Sequence, residues 1–236
     1  MLENRDYGRQ PEFRESRRRS GFGLRWSWTL ALVAAYVAVL LAQKLTEAVS
    51  PREMFTFDSY FALSTEGLAH GYVWQLLTYQ FMHAGYLHLI LNCWAIIVFG
   101  SEVERILGAR RFLLLTFSSG IVGGVFQVLT AIAWPSLFGH SAVVGASACA
   151  FGLVAAFALL LPHQELTMLV LFVIPVRMRA RTLLMLCVVI ALMGIIFPMD
   201  NIANAAHLGG IAMGWFYVRK ILKIQATPAG VVGPAA

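Results

Sequence analysis

The chain has 236 residues, 59% of them hydrophobic and 13% charged, with a net charge of +6 and a mean hydropathy of +0.72. A soluble domain carries about a quarter charged residues, so this composition excludes an ordinary soluble enzyme and indicates a membrane protein folded as one compact bundle. The basic residues stand in clusters between apolar runs rather than on one face, which is how topology signals are arranged and argues against nucleic-acid binding.

Residues 1–25 hold seven Arg and four acidic residues and predict a disordered, basic cytoplasmic tail. The apolar run that follows, Trp26 to Ala42, is long for a signal sequence, and no small-residue cleavage site comes after it. It predicts an uncleaved first span, about 26–43. Further spans are expected at 86–104, 111–133, 147–161, 181–197 and 203–222, most of them near the roughly 20 residues that cross a bilayer. The run 166–176 is too short to span and contains Pro175, so it reads as an interfacial piece leading into the fifth span. The membrane domain is then 26–224, and 225–236 is a flexible, dispensable tail. Cys93, Cys149 and Cys187 lie in apolar runs without metal-ligand spacing and read as small core residues.

Charge sets the orientation. Basic clusters before the first span, at Arg105, Arg110 and Arg111, at Arg177, Arg179 and Arg181, and at Arg219, Lys220 and Lys223 alternate with basic-poor loops. The expectation is an all-α membrane protein of six helices with both termini cytoplasmic. The second, fourth and sixth spans then start at the outer face, and His83, His88, Asn92, Ser147 and His207 lie at those outer ends. From Ser147 to Leu161 is about 22 Å of helix, short of a hydrocarbon core about 30 Å thick. Ser147 is thus expected on the order of 8 Å below the outer surface, with 139–146 dipping in as non-helical backbone. Such backbone is tolerated only where protein buries it or water reaches it.

A serine hydroxyl needs a neighbouring base to become a nucleophile, and His207 is the natural one, since imidazole titrates near neutrality. Asp200 lies about two turns away, so the expectation is a Ser147–His207 dyad rather than a triad. Gly210 and Gly214 form a small-xxx-small pair that lets helices approach closely. Phe151, four residues after Ser147, is placed to stack on the imidazole. His88 and Asn92 share one face of the second span. With the Ser147 N–H they form a candidate oxyanion hole, aided by the dipole of a helix that starts near Ser147.

These pieces together resemble the rhomboid intramembrane serine proteases. The matching segments are Trp74-Gln75-Leu76-Leu77-Thr78 with Phe81-Met82-His83-Ala84-Gly85, then His88-x-x-x-Asn92, Gly145-x-Ser147-x, and Ala206-His207-x-x-Gly210-x-x-x-Gly214. The resemblance covers roughly 26–222. It implies a six-helix bundle with Ser147 as nucleophile, His207 as general base, and His88 and Asn92 as oxyanion donors. It implies cleavage of other proteins' transmembrane segments near their outer end. Residues 44–82 correspond to a partly helical first loop in the outer leaflet. The expected partners are therefore transmembrane substrates and the lipid bilayer, without cofactor or metal, and the expected location is a bacterial cell membrane. Three positions depart from the pattern. Ala148 stands where Gly is usual, Gln75 where some members carry Arg, and Phe151 where some carry Tyr. His83 reads as structural, tying the first loop to the bundle; His70, His140 and His163 read as loop residues.

No His-Glu-x-x-His run points to a metalloprotease, and the span interiors lack the carboxylates that an aspartyl protease or a proton-coupled transporter needs. The alternative reading is a non-catalytic member of the same fold that binds or escorts membrane helices.

Overall fold

The computed structural model describes residues 27–49, 57–138, 142–170, 174–198, 203–226 and 232–234. The tail 1–25, His140 and Asp200 lie outside them, as does part of the dipping loop.

The first helix, α1 (Trp28–Val49), buries Thr29, Leu32, Tyr36, Leu40 and Gln43, a stripe three to four residues apart, and leaves its other faces apolar and exposed. It runs six residues past the expected span end at residue 43, and there Lys44 and Glu47 pair one turn apart at 2.8 Å. Its first turn is capped from a distance. Glu104 accepts hydrogen bonds from the Ser27 and Thr29 hydroxyls and from the Trp28 and Thr29 N–H groups at 2.7–2.9 Å. A carboxylate at a helix N-terminus satisfies orphan donors and complements the dipole.

The first loop is partly helical, with α2 (Phe57–Phe61), α3 (Thr65–Ala69), α4 (Gln75–Thr78) and a tight turn Tyr79–Phe81. Its keystone is Gln75, which is fully buried. The carboxamide accepts from the Ser64 N–H at 3.1 Å and donates to the Ser59 and Tyr60 carbonyls at 3.3 and 3.4 Å. Gly67 leaves room for it, because a Cβ there would collide with the amide.

The helix Tyr86–Leu107 comprises α5 (Tyr86–Ala95), a wider turn Ile96–Gly100 and α6 (Ser101–Leu107). It is followed by α7 (Ala109–Ala133), the short α8 (Pro135–Phe138), α9 (Ser147–Leu160), α10 (Ala180–Ile196) and α11 (Asn204–Phe216), which continues through a wide turn at Tyr217–Ile221. Among the described residues, three helices are long and apolar enough to cross a membrane: Trp28–Val49, Tyr86–Leu107 and Ala109–Ala133. The helices α9 and α10 are apolar but shorter.

The centre of the bundle is α9. Eleven of its 14 residues are buried, as befits a helix that is apolar on every face. It packs between α7 and α11 through small residues. Gly210 and Gly214 of α11 sit against the backbones of Ala148 and Gly152, while Gly123 of α7 sits against Ala148 and the Ala206 carbonyl. A side chain at these glycines would enter a neighbouring backbone, which is why the helices approach so closely.

Two antiparallel hairpins correct the all-α expectation. The segment 166–176, expected as an interfacial piece, forms most of one: β1 (Glu165–Val170) pairs with β2 (Ile174–Arg179). Its residues alternate, Leu166 opposite Met178 and Met168 opposite Val176 on one face, Thr167 opposite Arg177 on the other. That period of two selects strand over helix. Pro175 is tolerated because both strands are edges. Near the C-terminus, β3 (Ile224–Ala226) pairs with β4 (Val232–Pro234), so 225–236 includes paired backbone.

Candidate active site

Ser147 is the first residue of α9, and its preceding loop is non-helical over the described residues 142–146. The first loop holds that backbone in place. Leu63 and Val143 exchange two backbone hydrogen bonds at 3.0 and 2.8 Å, and the Gly145 N–H donates to the Tyr79 carbonyl at 2.9 Å. Tyr79 is itself anchored by its hydroxyl to the Gly120 carbonyl of α7 at 2.6 Å. Protein groups thus satisfy the irregular backbone that precedes Ser147.

Gly145 adopts φ +127°, a conformation that side chains rarely allow. A Cβ there would stand 2.8 Å from His88 Nε2 and 3.6 Å from Asn92 Nδ2. Both polar groups therefore converge on the backbone two residues before Ser147. The Ala84 N–H donates to His88 Nδ1 at 3.4 Å, which leaves the proton of the neutral ring on Nε2, facing the loop. Asn92 is buried, and its Nδ2 has no hydrogen-bond partner among the described residues. Among the described residues these are two donors without a competing acceptor, beside the free N–H groups expected at the start of a helix.

His207 lies in the first turn of α11. Its Nε2 is 2.9 Å from Ser147 Oγ, and Phe151 stacks on the imidazole with ring centroids 4.3 Å apart and planes 24° from parallel. Both members of the pair are half-buried, so the site is not sealed. Gly210 brings α11 against Ala148 one turn below, which sets the separation the pair needs.

His83 sits apart from this pair. It is buried, packs edge-on to Tyr36 and His88, and bonds Phe81 through Nδ1 at 3.2 Å. Burial pushes its pKa down to about 4, with the neighbouring His88 adding to the shift, so the ring is neutral. Its backbone is clasped by Gln43 of α1, which also donates to Asp58 at 3.1 Å. His70 is exposed and bonds the Glu66 carbonyl within its own loop, and His163 is an exposed turn residue.

Several supporting residues carry roles not assigned above. Gln127 of α7 accepts from the Ala206 N–H at 3.3 Å, capping the helix that bears His207, whose own N-cap, Ala203, offers no side chain for the purpose. A buried glutamine inside an apolar helix was a usable signal. So was the spacing Ser119-x-x-x-Gly123 in α7. Glu104 and Gln75 left no local trace, since their partners are 11 to 77 residues away. Among the described residues, no three His, Cys, Asp or Glu side chains gather to hold a metal. The chemistry available is that of a hydroxyl, an imidazole and two neutral donors, which is the equipment of acyl transfer.

The chain matches the family model described as the rhomboid domain over residues 70–224. It is 30% identical over 163 residues to the rhomboid protease GluP of Bacillus subtilis, covering 68% of this chain and 28% of GluP. It is 33% identical over 141 residues to the mitochondrial rhomboid protein 1 of Saccharomyces cerevisiae, covering 58% and 38%. A third relative is the inactive RHOMBOID-like protein 8 of Arabidopsis thaliana, 32% identical over 91 residues, covering 38% and 26%. The chain thus spans less than half the length of the relatives it matches. With the matched region taking in α4 through α11 and every residue gathered around Ser147 and His207, the chain belongs to the rhomboid family, and its long apolar helices make it a membrane protein.

Proposed function

We propose that this protein is a serine endopeptidase working within the membrane, cutting the transmembrane segments of other proteins near their outer ends. The observation that carries the reading is the 2.9 Å approach of Ser147 Oγ to His207 Nε2, with Phe151 stacked on the ring. The Ser147 hydroxyl donates to Nε2. As Oγ bonds to the scissile carbonyl carbon, its proton passes to Nε2 and the carbonyl electron pair moves onto oxygen. His88 Nε2, Asn92 Nδ2 and the Ser147 N–H stabilise that oxyanion. The imidazolium then protonates the departing amine, and water, activated by the same ring, releases the acyl group. The aromatic face of Phe151, stacked on the ring, helps to stabilise the imidazolium.

The topology that goes with this reading has six crossings: α1, Tyr86–Leu107, α7, α9, α10, and α11 with its continuation. Both termini lie on the basic, cytoplasmic side. At 14 residues, α9 is about 21 Å long, which leaves Ser147 beneath the outer surface with the irregular loop as its roof. Water reaches the half-buried pair from that side. Bacterial and mitochondrial relatives both match, and the bacterial cell membrane is the location we assign. The rival reading is a non-catalytic helix-binding protein, favoured by the match to a relative named inactive. A serine and a histidine in bonding distance weigh against it. The purified full chain, reconstituted with single-span membrane proteins, is expected to cut one of them, and Ser147→Ala and His207→Ala to abolish the cut while retaining the fold. Turnover near that of the wild type in either variant refutes the assignment.

A further inference from the structure

The helices α10 and α11 close at one end and flank an apolar groove along the rest of α11. They touch where Gly194 of α10 makes room for the Asn204 carboxamide. Beside them a groove of about 580 Å³ runs along α11 from Leu208 to Phe216. Its walls are apolar: Val122 of α7, Leu184 and Val188 of α10, and Ile211, Ala212 and Trp215 of α11. The groove opens outward past Ala212 and Trp215, both exposed.

The end of this groove is basic. Arg181 precedes Leu184 and Val188 by three and seven residues, so all three share one face of α10. Arg219 follows Trp215 by four residues, one turn beyond the groove's edge. Both arginines are exposed, and neither belongs to an ion pair among the described residues. The approach of Arg110 and Arg111 to Tyr217 adds positive charge at the same end of the bundle. An apolar slot open to the membrane, ending in unpaired guanidinium groups, matches one chemistry: an acyl chain joined to an anionic headgroup. Guanidinium forks bind phosphate oxygens in pairs.

We infer that the α7–α10–α11 groove is a binding site for an anionic glycerophospholipid, with one acyl chain between α10 and α11 and its phosphate on Arg181 and Arg219. Such a lipid packs against α10 and α11 along the groove while they stay closed at Gly194. The inference is independent of whether Ser147 is catalytic.

The test uses the full chain in nanodiscs containing equal dioleoyl phosphatidylglycerol and dioleoyl phosphatidylcholine, released for native mass spectrometry. The expected result is retained phosphatidylglycerol in excess over phosphatidylcholine. The double variant Arg181→Gln/Arg219→Gln is expected to lower that excess roughly thirtyfold, given the worth of each cation at a membrane surface. Ala212→Leu, which narrows the slot without touching the charges, is expected to lower retention of phosphatidylglycerol. Equal retention of the two lipids by the wild type, or an unchanged excess in the double variant, overturns the site. So does a shift to dimer mass that Ala212→Leu abolishes, which would assign the groove to a second copy of the chain.

Discussion

The helices α9 and α10 look alike as sequence and differ completely as structure. Both are apolar and both are shorter than the three helices long enough to cross a membrane by length. Yet α9 buries eleven residues, whereas α10 buries two, Ala180 and Ala191. In water, hydropathy separates inside from outside; in lipid, both sides of a helix are apolar and the distinction is lost. What remains is size. The α9 helix is built from Ala, Gly, Ser and Cys wherever a neighbour's backbone comes close, while α10 presents Leu, Met, Val and Ile outward. The small helix is the one that carries Ser147, because precise placement of a hydroxyl requires rigid contact on every side.

That contrast is open to direct attack. The largest effect is expected for Gly210→Leu, whose side chain would drive into the Ala148 backbone. It should cost about 3 kcal/mol or more of bundle stability, read by unfolding in detergent, and remove cleavage with it. Next come Asn92→Ala and His88→Ala, which remove donors at the N-terminal end of α9. Each should lower turnover by roughly one to three orders of magnitude with little change in melting temperature. Unchanged turnover in both variants moves the oxyanion hole elsewhere. A smaller effect, about 1–3 kcal/mol, is expected for Gln127→Leu, which strands the Ala206 N–H beneath His207. The smallest belongs to α10, where Ile190→Ala, 65% exposed, should change stability by under about 0.5 kcal/mol. A loss comparable to that of Gly210→Leu would erase the distinction between the two helices.

The same physics explains what the sequence made legible. Apolar run lengths located the helices to within a few residues, and polar residues in otherwise apolar segments, Ser147, His88, Asn92 and His207, drew attention because bilayers seldom hold them without reason. The spacing of Gly210 and Gly214 marked the α9–α11 contact. The fold's long-range ties were not legible. Glu104 capping α1 and Gln75 knitting the first loop depend on partners far along the chain. The β1–β2 hairpin is not legible because its period-two alternation is short and overlaps an apolar run that reads equally as helix. Gln127 is legible as an amide in an apolar helix, but its partner, the Ala206 N–H, is 79 residues away.

The central claim is that Ser147 is activated by His207. Treating the folded full chain with a fluorophosphonate and mapping the adduct by mass spectrometry tests it most directly. The expected result is phosphonylation at Ser147, lost in Ser147→Ala and reduced to background in His207→Ala. A folded wild type that takes up no label, or label that persists at another residue in Ser147→Ala, contradicts the account.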